Sequence, residues 1–298
     1  MKKSLIPLLL ALLATPALAD KLPVLASFSI LADLTREVGG ERVDVASLVG
    51  PDQDAHVFQP APQDVKKLAA AKVFVVNGLG FEGWLSRLSK SSGFKGQTVV
   101  ASQGVKAQDM AEEEHDHHGH DHGHTDPHAW HNPQNVKLYV NNIRAALTQA
   151  DPAGKDYYSQ RASQYSQQLD ALDADARQRF AAIPASQRKV LTSHDAFGYL
   201  AQRYQIRFLS PQGVSTDAEA SAKTVAKLVR QVKAEKIRAV FVENMSDKRL
   251  LEQLSREAGV HVGGKLYADA LSPANGPAPS YLKLFSHNVN SLSAAMKP

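Results

Sequence analysis

The sequence predicts an α/β protein of two lobes, each a mostly parallel sheet flanked by helices, joined by one long helix. Three observations point there. Short apolar runs alternate with amphipathic helical stretches, the pattern of parallel sheets with crossover helices. The alternation occurs twice, on either side of a long polar stretch near the middle of the chain. The 298 residues, 43% hydrophobic and 21% charged, suffice for roughly two domains of about 150 residues with cores of their own.

The elements follow in order. Leu22 to Ser29 reads as a buried strand. Ile30, Leu31, Leu34 and Val38 share one side of a helix that Gly39-Gly40 ends. Arg42 to Val49 alternates as a second strand. Pro62 suits the first turn of a helix running to Ala71. Val73 to Val76 is a compact strand broken by Gly78 and Gly80. A short helix over Glu82 to Leu88 and a strand over Thr98 to Val100 complete this stretch. Ala101 to Asn132 has no apolar period and reads as an irregular excursion. Pro133 opens a helix to about Ala150, and Asp151 to Gly154 is a turn. The stretch from Lys155 to about Ala182 is a long polar helix with a modest apolar stripe, a spacer packed across both lobes. Then come a strand at Lys189 to Thr192, a helix at Ala196 to Tyr204 and a strand at Ile206 to Leu209. An amphipathic helix at Glu219 to Glu235 precedes a strand at Ala239 to Val242. A helix at Lys248 to Ala258, a strand at Val260 to Val262 and a helix at Ser280 to Ala295 finish the chain. The lobes are expected at 20–150 and 185–298, with 151–184 as the linker. No sequence repeat of fixed period relates them.

Composition excludes several functions. There is no cysteine, hence no thiolate site, cysteine nucleophile, disulfide or N-terminal lipid-bearing cysteine. Lys2 and Lys3, the apolar run Leu5 to Leu13 and Ala17-Leu18-Ala19 read as a signal peptide over 1–19. The run is too short for a membrane span, which needs about 20 residues. The net charge of +4 falls to +2 once those residues are gone. Nothing in that balance asks for nucleic acid or a membrane surface. The expectation is a soluble exported protein, periplasmic in a bacterium, a monomer without membrane insertion.

The histidines carry the chemistry. Of 12, seven fall between Glu112 and His128, interleaved with acids. Without cysteine, imidazole is the natural ligand for zinc, copper or nickel. A glycine- and charge-rich tract at about 112–125 has no apolar anchors to fold a rigid site, so it is expected to collect metal loosely. Three histidines sit instead at loop-to-helix junctions: His56 among Pro60 and Pro62, His128 between Pro127 and Pro133, and His194 directly after a strand, where α/β sheets place ligands.

Those surroundings resemble a family. Asp54-x-His56-x-Phe58-x-Pro60-x-Pro62-x-Asp64, Asp126-Pro-His-Ala-Trp130 and Ser193-His-Asp-Ala-Phe-Gly-Tyr199 are similar to motifs of zinc-binding periplasmic solute-binding proteins of ABC importers. Val38-Gly-Gly-Glu-Arg-Val43, Asn77-Gly-Leu-Gly80 and Leu266-Tyr-Ala-Asp-Ala-Leu-Ser272 fit the same pattern, and the resemblance covers essentially the whole chain after residue 19. It implies a rigid linker helix and a metal in the interlobe cleft. It makes His56 and His128 ligands from the first lobe and His194 the ligand from the second. Manganese-binding relatives tend to carry glutamate at the His194 position, so histidine favours Zn2+. The fourth position in the family is a carboxylate or a water, and Asp269 matches the carboxylate. Glu243 is the runner-up, as fourth ligand or as a group behind a ligand. Some zinc members carry a disulfide in the second lobe, which this chain lacks.

Three imidazoles and a carboxylate form a closed tetrahedral set suited to holding zinc as cargo, passed unchanged to the membrane permease of an ABC importer. A zinc metallochaperone is a further expected partner. Affinity is expected to fall as pH drops through about 6.5, because ligand imidazoles must be neutral. Asp54, Asp126 and Asp195 are candidates to hold the far ring nitrogens, and Trp130 and Phe58 to form an apolar rim. His131 is expected to be exposed, and His261 and His287 to be structural. A secreted zinc hydrolase is the rival reading. It would need an open coordination position and a general base, and the sequence has no His-Glu-x-x-His and no Gly-x-Ser-x-Gly. A zinc buffer or metallochaperone acting without a permease is the other alternative.

Overall fold

A computed structural model describes residues 20–108 and 125–297. Residues 1–19, read above as a signal peptide, and most of the His-rich tract lie outside the described residues. The first sheet contains β1 (Leu22–Phe28), β2 (Val43–Val49), β3 (Val73–Val76) and β4 (Gln97–Val100) in the order β2-β1-β3-β4. The second contains β5 (Lys189–Leu191), β6 (Arg207–Leu209), β7 (Ala239–Glu243) and β8 (Gly264–Leu266) in the order β6-β5-β7-β8. Every pairing is parallel. The two lobes thus repeat one strand order without repeating a sequence.

The helices of the first lobe are α1 (Ser29–Gly39), α2 (Pro62–Ala70), α3 (Leu85–Ser92) and α4 (Pro133–Ala150). Then comes α5 (Lys155–Ala181), 27 residues and about 40 Å long at the usual rise. It buries Tyr158, Ala162, Tyr165, Leu169, Ala176 and Phe180 on one side. That stripe packs on α1 and α4 of the first lobe and on α6 (Gly198–Tyr204) and α9 (Tyr281–Met296) of the second. The outer layer of the second lobe is α7 (Ala222–Ala234) and α8 (Lys248–Ala258).

One continuous apolar cluster runs through both lobes, from Val24 and Phe74 to Phe241 and Leu292. A smaller core lies under α7 and α8. Asp173 of α5 accepts bonds from Arg203 Nε at 2.6 Å and Tyr204 OH at 2.8 Å of α6, tying the linker to the second lobe.

Three elements differ from the sequence reading. The last strand is not Val260–Val262 but Gly264–Leu266, in register with Phe241–Glu243. Val260 and Val262 instead pack sideways on the smaller core, so their alternation reflects packing and not a ladder. The helix expected at Glu82 starts at Leu85, because the Glu82 carboxylate is turned inward to Ser27, Asn77 and Gly78. Helix α7 begins at Ala222, where the Ser221 hydroxyl accepts the Thr224 N–H.

Candidate metal centre

Each candidate ligand lies beyond the carboxyl end of a strand, the place where open parallel sheets gather ligands. His56 is on the loop after β2, His128 follows the excursion from β4, His194 lies just past β5 and Asp269 just past β8. Local chemistry fixes each one. Asp54 accepts the His56 backbone N–H at 2.9 Å and the Thr216 hydroxyl of the other lobe at 2.6 Å. Asp126 Oδ1 accepts both the backbone N–H and ring Nδ1–H of His128, at 2.9 and 2.8 Å. Asn77 supports that turn by donating to Pro127 O at 2.9 Å, and Tyr139 OH donates to Asn77 at 2.6 Å. Glu243 accepts the Ser193 and His194 N–H groups at 3.0 Å each and also meets His194 Nδ1.

With Nδ1 engaged on His128 and His194, their Nε2 atoms face a common point. His56 Nε2 lies 3.3 Å from His128 Nε2 and 3.4 Å from Asp269 Oδ2. Asp269 lies 3.2 Å from His194 Nε2 and 3.6 Å from His128 Nε2. One ligand atom from each of the four residues falls within 4.8 Å of the others. The three ring centroids are 5.2–5.7 Å apart. His128, His194 and Asp269 are fully buried.

The polar atoms at the centre lack ordinary partners. His194 Nε2 and both Asp269 oxygens make no hydrogen bond. A cation at the focus would supply all three atoms with a partner. Burial opposes charge on both groups, but Glu243 and Asp269 overcome it and hold His194 well above the ordinary imidazole range. His194 and His128 likewise hold Asp269 well below the usual carboxylate range. The arrangement offers three imidazole nitrogens and one carboxylate to one ion.

Several surroundings differ from expectation. Asp126 does hold a ring nitrogen, but Asp54 holds the His56 backbone N–H and the Thr216 hydroxyl and no ring nitrogen, and Asp195 holds no ring nitrogen. Glu243, the runner-up for the fourth position, serves His194 from behind. Asp269 faces the focus. His131 is fully buried and not exposed, packed on Phe197 at 4.6 Å. Burial, with His128 beside it, pushes its pKa down to about 3. Trp130 packs on His128 at 5.2 Å, whereas Phe58 turns away to Trp84. The apolar wall beside His56 is Phe81, at 4.7 Å, which the sequence reading did not single out. Its place directly after the Gly78 and Gly80 turn was the available signal.

Comparisons with known proteins agree with this frame. The family model described as "Zinc-uptake complex component A periplasmic", ZnuA, matches residues 24–295. The iron-binding protein YfeA of Yersinia pestis is 32% identical over 291 residues, 95% of this chain and 91% of that protein. The manganese ABC transporter substrate-binding lipoprotein PsaA of Streptococcus pneumoniae is 28% identical over 289 residues, 93% of this chain and 90% of that protein. The solved structure of the periplasmic zinc binding protein TroA from Treponema pallidum superimposes with a TM-score of 0.86 at 28% identity, covering 93% of this chain and all of that one. Members of the family bind metal ions outside the cytoplasm as components of ABC importers, working with a membrane permease and ATPase; they are not enzymes. Among the described residues no helix is long and apolar enough to cross a membrane. From residue 24 to residue 295, this chain belongs to the ZnuA family of periplasmic metal-binding components of ABC importers.

Proposed function

We propose that the cargo is Zn2+, held by His56, His128, His194 and Asp269 and handed unchanged to the importer's permease. One observation carries this reading. Three of the six separations within the ligand set are 3.3, 3.4 and 3.2 Å, another contact is 3.6 Å, and all four ligand atoms lie within 4.8 Å of one another. An ion about 2.0 Å from the corners of a tetrahedron sets those corners about 3.3 Å apart, the geometry of zinc with nitrogen and oxygen ligands. Manganese suits a larger, more oxygen-rich shell, whereas iron, like zinc, accepts imidazole. They remain the competing reading, because the names of two relatives specify iron and manganese.

The surrounding proposals follow. Residues 1–19 act as a signal peptide that sends the chain to the periplasm. Residues 20–150 and 185–298 form the lobes, with 151–184 as linker, and ligands from both lobes make the closed state the one that completes the shell. The tract at 112–125 collects metal loosely. The protein acts as a monomer, and a zinc metallochaperone is a further partner.

The test is metal content and anomalous scattering on protein purified without added metal. Zinc at one equivalent, bonded to those four side chains, is expected. Manganese or iron at the focus, or zinc bonded elsewhere, overturns the reading.

A further inference from the structure

Helix α7 has two opposite faces. Val225, Leu228 and Val232 pack inward. Lys223, Lys227, Arg230 and Lys233 are exposed, and their spacing of three and four residues lines them along the other face. Ala222 to Ala234 contains no acid. Among the described residues no carboxylate lies within 4.0 Å of any of the four. Of the nearby acids, Glu235 is engaged with Lys189 and Arg207, Glu252 with Lys248 and Asp247 with Arg249, while exposed Glu219 precedes the helix. Lys236 and Arg238, both exposed, continue the patch past the helix. Like charges at this spacing weaken a helix, so the stripe is held against a local cost.

The wider charge distribution points the same way. Residues 20–184 carry 16 Lys and Arg against 21 Asp and Glu, while residues 185–298 carry 16 against 9. Six of those 21 acids fall in 109–124, outside the described residues, and the rest of 20–184 is close to balance, so the excess of positive charge belongs to the second lobe, in whose outer layer α7 lies.

We infer that the outer face of α7 rests on a bilayer surface of anionic phospholipid headgroups. A lysine-rich face suits a fluid sheet of phosphate charge. Specific protein interfaces are instead built around aromatic and apolar anchors and are depleted in lysine. The large apolar side chains exposed among the described residues are Val57, Val100 and Leu138, none of them on α7. Adsorption here is electrostatic and reversible and inserts nothing. It keeps a carrier close to the membrane in which its permease sits, whichever metal it carries.

The test is co-sedimentation of the full chain with phosphatidylglycerol–phosphatidylethanolamine vesicles. A variant carrying Lys223→Glu, Lys227→Glu, Arg230→Glu and Lys233→Glu is compared with one carrying Lys66→Glu, Lys90→Glu, Lys95→Glu and Lys155→Glu, four exposed lysines of 20–184. The unaltered chain is expected to bind at low salt and to be released at about 0.5 M, where the Debye length falls to a few ångströms. The α7 variant should bind at least about tenfold more weakly, and the first-lobe variant as the unaltered chain does. Retained metal binding reports that each variant is folded; the matching glutamine variant serves if charge reversal unfolds α7. No vesicle binding by the unaltered chain, or equal loss in both variants, overturns the inference. So does unchanged vesicle binding accompanied by capture of an acidic protein through α7.

Discussion

Glu243 and His194 lie 49 residues apart in sequence, yet the Glu243 carboxylate accepts the His194 backbone N–H at 3.0 Å and meets its ring Nδ1 as well. β5 and β7 pair in parallel in the second sheet, which puts the end of one strand beside the turn that follows the other. The histidine is thereby held with Nε2 toward Asp269. Glu243→Gln is expected to leave the fold intact and to weaken metal binding by about 10–100-fold, as loss of a group behind a metal-binding histidine commonly does. Competition against a chelator of known affinity measures it.

His56→Ala, His128→Ala, His194→Ala and Asp269→Ala should each abolish tight one-to-one binding, a loss of about a hundredfold or more, since each removes one corner of the shell. Equilibrium dialysis against the metal checks this. Deleting Glu113 to His124 should remove extra weak binding and leave the tight site; loss of the tight site would mean that the tract supplies a ligand.

Proton release on binding should extend above the range set by a free imidazole. Glu243 and Asp269 raise the His194 pKa in the metal-free protein despite its burial, while a bound imidazole must be neutral. Metal must therefore displace that proton at neutral pH, and affinity should keep rising with pH beyond about 6.5. Calorimetry in buffers of different ionisation enthalpy counts the protons. Release of none at pH 7 would contradict the pairing.

Asp33 of α1 accepts the Tyr281 N–H at 2.7 Å where α9 begins. Burial pushes its carboxyl up to about 6. A carboxyl raised above its unfolded value binds more protons when folded, so stability falls as pH rises through the window from about 4 to 6 and stays lower above it. Asp33→Asn keeps an acceptor for Tyr281 and removes that charge. It should stabilise the protein by about 2–3 kcal/mol at pH 8 and change little near pH 4. Denaturant melts at the two pH values test the difference.

Asp173 does the opposite. Burial raises its carboxyl, but Arg203 and Tyr204 more than compensate and hold it below the usual range. Asp173→Ala leaves Arg203, half of a largely buried pair, without its partner. A loss of about 2–4 kcal/mol is expected, read as a lower denaturation midpoint.

Much of this architecture was written in local pattern. Val73 to Val76 and Ala239 to Val242 are apolar runs too short for helices, and the long polar stretch after Gly154 could only be a helix spanning both lobes. The strand at Gly264–Leu266 escaped, because it contains two residues that make poor strands alone and is fixed by pairing with Phe241–Glu243. The histidines of the candidate site were legible because proline-bounded loops after strands are where ligands collect. Their supporting acids were half legible. Asp126 is two residues from His128 and local geometry delivers it, whereas Asp195 is adjacent to His194 and yet the distant Glu243 takes the role.

The sequence by itself determined the residue types, three imidazoles and a carboxylate without any thiol, and the alternation that builds two parallel sheets. Only tertiary structure decided which acid meets which ring and that His131 is sealed from water. The physical reason is that local pattern sets helix and strand within a few residues. Contacts between side chains dozens of residues apart depend on strand order and register, and those are settled by burial of the shared core that runs through both lobes.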